Sequence, residues 1–279
     1  MLLPLEKFEP IFTPLQNKKI GLIVNRGSVS DEVHKQGMFQ LLKKFNINYI
    51  KFDIPKGHEL NWNEKRFNSV DEYAVSGGGV MGKGIHSPPI DITYPPTHKL
   101  HTTTHLKARI KALKTGKKVT ILPQSFLGKE DLPYHKVYAR EYFSQQFYKG
   151  AELAPDLGLG LEWKKPVSEP TEDVGIWLKT RTHEGIIHRK ENLGDPVQKC
   201  NTLEEYANLA SKYRTIVTDR CHFAILALII SQNNYPRSVV VVPNSYHKNL
   251  GLYVSWLKNL GAVWYKEGYS KPYLVSYIQ

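Results

Sequence analysis

An aspartate, an arginine, a cysteine and a histidine in succession, Asp219, Arg220, Cys221 and His222, close a β-branched run and open an almost wholly apolar segment. A strand that ends there delivers these side chains to its carboxyl end. A helix that begins there offers unpaired N–H groups to an anion, and Asp219 can cap that helix. A permanently charged guanidinium two positions from a titratable imidazole suits recognition of a phosphate or carboxylate coupled to proton transfer. The structural alternative is that Arg220 neutralises Asp219 while His222 is a satisfied core residue. Residue types alone leave these two readings even.

Other residues with chemical potential are weaker. Gly77, Gly78 and Gly79, followed by Gly82 and Gly84, can present consecutive N–H groups to an anion. They carry neither the Gly-Lys-Ser/Thr of a P-loop nor the dinucleotide spacing, and read as a close backbone approach to substrate or donor, against a tight turn. His98, His101 and His105 stand at i, i+3 and i+7 and would share one face of a helix. With no local carboxylate or cysteine they read as a solvated or acceptor-side patch rather than a zinc site. His183 and His188 are five apart, the wrong register for a two-histidine zinc helix, so no metal is expected. Arg181 follows an apolar run and reads equally as a cleft residue or part of a charged loop. Five tryptophans and 16 tyrosines include candidates for sugar stacking that the sequence does not separate from core aromatics.

The elements that must position these residues alternate regularly. Apolar runs at 19–25, 48–53, 72–76 and 118–122 read as strands, with helical spacing over 31–45 and 105–115. The pattern then repeats with strands at 174–178, 214–218 and 238–243 and helices at 202–212 and 223–231, the first opened by a capping pair, Thr202 and Glu205. Strand–helix–strand spacing requires crossovers and therefore parallel sheets. The expectation is an α/β protein of two Rossmann-like lobes facing a cleft. Residues 1–157 would form an N-terminal lobe on the acceptor side, 171–279 a C-terminal lobe on the donor side, and the Gly- and Pro-containing stretch 158–170 a linker. Ligands would bind at the carboxyl ends of the strands.

Composition bounds the rest. The 279 residues are 41% hydrophobic, enough for one large or two modest cores and too apolar for a disordered chain. Two cysteines exclude a disulfide-stapled scaffold, and no 18-residue apolar run predicts a membrane span. The opening residues lack a basic leader, which reads as a cytoplasmic protein, able to work at a membrane surface. A net charge of +12 calls for anionic partners. Its cations lie in scattered pairs such as Lys43 and Lys44 rather than in a dense block, which points to a phosphorylated small molecule and not to nucleic acid.

The segment around His222 resembles the polysaccharide pyruvyltransferase family, in which a strand ends in Thr-Asp-Arg-Leu-His ahead of an apolar helix. Further landmarks follow in order. Residues 25–32, with Gly27 and Asp31, resemble a stretched Asn-x-Gly-Asp opening; Gly77, Gly78 and Gly79 match the central glycine run. Pro123, Gln124 and Ser125 match Pro-Gln-Ser; Arg140, Glu141 and Ser144 match Arg-Glu-x-x-Ser; Pro155 and Asp156 match the Pro-Asp loop; and Lys248 stands where the family carries a C-terminal lysine. Cys221 replaces the usual leucine. The resemblance spans residues 20–255 and implies a two-lobed architecture similar to B-type glycosyltransferases. It implies transfer of the enolpyruvyl group of phosphoenolpyruvate, as co-substrate and with no separate cofactor, to a saccharide that is lipid-linked, nucleotide-linked or already polymerised. His222 would be the general acid, with Arg220 beside it, and Arg220, Lys248 and Arg140 would clamp the donor anion. Gly77, Gly78, Gly79, Asp31, Gln124, Ser125 and Arg181 would line the cleft or acceptor side. The rivals are a nucleotide-sugar glycosyltransferase of the same architecture and a non-catalytic glycan-binding relative.

Overall fold

In a computed structural model the alternating pattern resolves into two all-parallel sheets. The structure describes residues 1–265 apart from 26, 56–58, 78–80, 83–98, 180–186, 188, 234 and 245–246. The first sheet holds β1 (Lys19–Val24), β2 (Asn48–Asp53), β3 (Glu72–Val75), β4 (Val119–Gln124), β5 (Lys136–Ala139) and β6 (Glu152–Leu153) in the order β2-β1-β3-β4-β5-β6. The second holds β7 (Glu172–Trp177), β8 (Tyr213–Thr218), β9 (Ser238–Val241) and β10 (Val263–Trp264) in the order β10-β9-β8-β7. The helices are α1 (Glu9–Phe12), α2 (Val29–Lys44), α3 (Glu64–Asn68), α4 (Lys99–Leu113), α5 (Leu203–Ser211), α6 (Cys221–Ser231) and α7 (Lys248–Leu252). In the first sheet the strand order reverses between β1 and β3, so the crevice beyond their carboxyl ends is the place where such folds take ligands.

Helix α2 joins the two units. Its buried residues fall in two adjacent i, i+4 rows, Val29, Val33, Gly37 and Leu41 beside Ser30, His34, Met38 and Leu42, the stripe that a core-facing helix needs. That stripe packs against the 3-10 turn Leu157–Gly160 and against α5 and α6 of the second unit. One apolar cluster therefore runs from Val33 and Leu41 to Phe223 and Ala227. The halves expected to face one another across a cleft share a continuous core at this junction, and residues 158–161, at the start of the expected linker, are buried in it. Helix α6 has ten consecutive buried residues, Cys221 to Ile230, as expected of a segment apolar all round. Cys200 and Cys221 are free thiols.

Gly37 is required by this packing. A Cβ there would lie 2.1 Å from the Leu157 carbonyl oxygen, so backbone must move to admit it. Gly37→Ala is therefore expected to destabilise by about 1–3 kcal/mol, outweighing a helix-propensity gain of about 1 kcal/mol. A lowered melting temperature in a thermal unfolding scan checks this.

The remaining differences are local. The expected helix at 105–115 begins earlier, at Lys99, and so takes in Thr102, Thr103 and Thr104. His98 lies outside the described residues, as do His183, Glu184 and His188. Trp177 and Trp264 are buried in the core, while Trp62 stacks on Phe67. Among the described residues no helix is long and apolar enough to cross a membrane.

Candidate active site

The end of β8 delivers Asp219 and Arg220, and α6 starts at once with Cys221 and His222. The N-cap position is Arg220, without a side-chain cap. Asp219, expected to cap this helix, instead accepts the Lys179 N–H at 3.0 and 3.2 Å beyond the end of β7. Burial, the largest influence on its carboxyl group, pushes the pKa up to about 6. Arg220 makes its direct ion pair with Asp195 rather than Asp219, although its charge still draws the Asp219 carboxyl downward. Its Nε donates to Asp195 Oδ1 at 3.0 Å and its Nη2 pairs with Oδ2, a two-point carboxylate contact of the kind a guanidinium fork favours.

His222 leaves its own lobe. Its imidazole reaches the junction with the first sheet, where Arg140 Nη1 lies 3.2 Å and Asp156 Oδ2 3.4 Å from Nε2. Asp156 stands directly before the 3-10 turn Leu157–Gly160 and is wholly buried. It accepts Arg140 Nη1 at 2.8 Å and the Gly158 N–H at 2.8 Å, and its Oδ1 meets His34 Nδ1 of α2 at 3.2 Å. Burial pushes the Asp156 carboxyl upward, but His34, His222 and Arg140 together hold it well below the usual range. The site is thus a buried carboxylate shared by two imidazoles and one guanidinium, with only His222 coming from the second unit.

Arg140, expected as a second anion clamp, is 1% exposed. Its Nε donates to Ser125 Oγ at 2.8 Å, and its backbone N–H to the Gln124 carbonyl at 3.0 Å. Gln124 and Ser125, expected to line a cleft, are buried; Ser125 accepts from the guanidinium, whose charge at that depth needs polar partners, and Gln124 holds the Arg140 backbone. Burial alone would lower the guanidinium pKa, yet Asp156 keeps it raised. His34, Asp156 and His222 are the group among the described residues whose ligand atoms, within 4.8 Å of one another, resemble a metal cluster. Arg140 supplies the positive charge between two of them.

The next residues of the Arg-Glu-x-x-Ser segment pin the second unit. Glu141 caps the 3-10 helix Tyr142–Phe147 through the Ser144 N–H and approaches His247 Nε2 at 3.3 Å, while Trp256 Nε1 donates to the Arg140 carbonyl at 2.7 Å.

The other expected residues divide. Asp31, in the first turn of α2, places Oδ1 3.8 Å from His222 Nδ1. Lys248, first residue of α7, is close enough to help draw the Asp31 carboxyl below its ordinary value. Asp31, Lys248, His222 and Arg140 therefore come together, and Arg220 stands two residues away on the Asp195 side. Gly77 follows β3 against His34, and a Cβ there would lie 2.1 Å from the Pro123 carbonyl and 2.6 Å from His34 Nε2. Only glycine fits between them. Gly78, Gly79 and Arg181 lie outside the described residues.

His34, Lys179 and Asp195 were not legible as site residues. His34 sits in a buried helical row and looks like core, and Asp195 signals only as the acidic residue before Pro196 that caps a short 3-10 turn.

A solved structure of an uncharacterized protein from Klebsiella pneumoniae is 18% identical, covers 94% of this chain and 98% of its own, and superposes with a TM-score of 0.64. That likeness supports the fold. A periplasmic solute-binding protein of an ABC transporter from Actinobacillus succinogenes, solved with bound D-allose, is 12% identical over 88% of this chain and 83% of its own, but its TM-score of 0.22 is too low to bear on the fold. No curated protein matches the sequence. The family model for polysaccharide pyruvyl transferase matches residues 31–230, from Asp31 through the end of the buried run of α6. By that match, which takes in every member of the Arg140–Asp156–His222 cluster, the chain belongs to the polysaccharide pyruvyl transferase family.

Proposed function

We propose that the protein moves the enolpyruvyl group of phosphoenolpyruvate onto two hydroxyls of a saccharide and releases phosphate. The observation that carries this reading is the placement of His222, fixed by Arg140 and Asp156 on one side and bordered by Asp31 on the other. In the reaction the methylene carbon gains a proton and becomes methyl while C2 turns cationic and takes the first sugar oxygen. The C2–O bond to phosphate then breaks, and the second sugar oxygen closes the ketal. Of the two hydroxyl hydrogens, one balances the new methyl group and the other leaves with phosphate. His222 is the general acid toward the methylene carbon. Arg220, through the Nη1 corner that Asp195 does not engage, and Lys248 bind the donor's phosphate and carboxylate. Arg140 acts from beneath, holding His222 rather than the donor.

The test follows inorganic phosphate and product mass together, with phosphoenolpyruvate and a panel of saccharides, free, lipid-linked and nucleotide-linked. Phosphate release that requires both substrates, with a product heavier by a pyruvate less one water, is the expected result. Thermal stabilisation by a nucleoside diphosphate and none by phosphoenolpyruvate would transfer the reading to a nucleotide-sugar glycosyltransferase. Saccharide binding without phosphate release from any acceptor would make the chain a non-catalytic relative.

A further inference from the structure

We propose that His222 exchanges its proton with substrate through Nδ1, and that Asp31 is the positioning residue that orients and charges this nitrogen. This deepens the pyruvyl-transfer reading and rests on it. The two ring nitrogens have different neighbours. Nε2 faces inward, with Arg140 Nη1 at 3.2 Å and Asp156 Oδ2 at 3.4 Å, on a side chain only 5% exposed. Nδ1 faces Asp31 Oδ1 at 3.8 Å, and the Asp31 side chain keeps 37% of its surface. Of the two ring nitrogens, Nδ1 is therefore the one whose neighbour reaches solvent.

The aim of Asp31 is set by the helix that carries it. Its Oδ2 accepts the Ser28 N–H at 2.8 Å and the Ser28 hydroxyl at 3.1 Å, closing the first turn of α2 as half of a capping box. With Oδ2 engaged, Oδ1 is left directed at the ring. Burial raises the Asp31 carboxyl, but His222, the Ser28 backbone and Lys248 outweigh it and keep the group below its ordinary value. It is an anion throughout the neutral range, and its charge lies on the Nδ1 side of the ring. Among the described residues, the other charged or titratable groups near the ring are His34 on α2, Arg140 after β5, Asp156, the adjacent Cys221, and, through Asp31, Lys248 on α7 and Tyr206 on α5. In the step itself the Nδ1–H bond breaks toward the methylene carbon and its electron pair stays on nitrogen. The ring keeps its Nε2–H against Asp156, and the hydrogen of the first acceptor hydroxyl returns to Nδ1.

Asp31→Asn keeps the volume and one capping oxygen and removes the charge. It is expected to lower kcat by about 10²-fold while KM for phosphoenolpyruvate stays within about threefold. The alkaline limb of the kcat profile moves to lower pH, because the imidazolium has lost its neighbouring anion. Glu32→Gln, one residue along and paired with Lys35 at 2.8 Å, leaves that limb in place. Without substrate, ¹⁵N spectra of histidine-labelled protein should show the His222 protonation midpoint at lower pH in Asp31→Asn than in the wild type. Should Asp31→Asn not fold, Ser28→Ala, which removes one of the two bonds aiming the carboxylate, should move limb and midpoint the same way by less. If neither moves in a folded variant while the wild type turns over, the role of Asp31 is overturned and pyruvyl transfer stands. If the midpoint moves but the wild type releases no phosphate, the Nδ1–Asp31 pairing stands and pyruvyl transfer falls.

Discussion

His222→Gln should reduce kcat for phosphate release by about 10²–10⁴-fold, the range a positioned general acid contributes. Glutamine approximates the imidazole's reach, and its amide N–H can stand in for the Nε2–H toward Asp156 Oδ2, so the packing around Asp156 survives while the transferable proton does not. Donor affinity, which the proposal assigns to Arg220 and Lys248, should stay within about threefold by calorimetry. A melting temperature near that of the wild type would separate lost chemistry from lost structure. Turnover close to wild type would remove His222 from the reaction, and with it the observation on which the assignment of function depends. A joint loss of donor binding and turnover would instead place His222 among the anion ligands.

The parts of this molecule that were legible in the sequence are those where local pattern and tertiary role agree. Strands β1, β2, β8 and β9 fall within about a residue or two of the runs that announced them, and β1, buried at five of its six positions, reads as the continuous apolar run of a strand covered on both faces. Thr202 accepts the Glu205 N–H at 3.1 Å as its spacing required. Strands β6 and β10, two residues each, carry no period at all, and the 3-10 segments look like turns. The cap on α6 differed by one residue because Asp219 found a stronger use at Lys179 than at the helix end. Within the site, the Asp-Arg-Cys-His run declared itself because strand end, charge and apolar helix coincide in eight residues. The contact between His34 and Asp156 spans 122 positions, and no window of sequence contains both. Arg140 is the converse case. A family motif marks the residue, but only packing shows that its charge is paired with the buried Asp156.

That inward pairing gives Asp156 the largest expected effect on stability. Asp156→Ala removes the carboxylate that takes Arg140 at 2.8 Å, the Gly158 N–H at 2.8 Å and His34 at 3.2 Å, leaving a guanidinium of 1% exposure without its counter-charge. Breaking a buried pair from one side costs about 3–5 kcal/mol, against about 0–1 kcal/mol for a surface pair, and urea unfolding distinguishes the two. The pH dependence has a definite sign. The Asp156 carboxyl is depressed in the folded state, so its contribution is complete above the unfolded carboxyl range and is lost as pH falls through the lower folded value. The wild type should therefore lose stability steeply below about pH 4, and Asp156→Asn should flatten that acid limb while lowering the neutral plateau. A variant with an unchanged plateau would mean that water, not Asp156, compensates Arg140. The junction would then be open enough to solvent that Arg140 could serve as the donor clamp its motif suggests. The same titration that measures stability thus decides whether this guanidinium belongs to the scaffold or to the substrate.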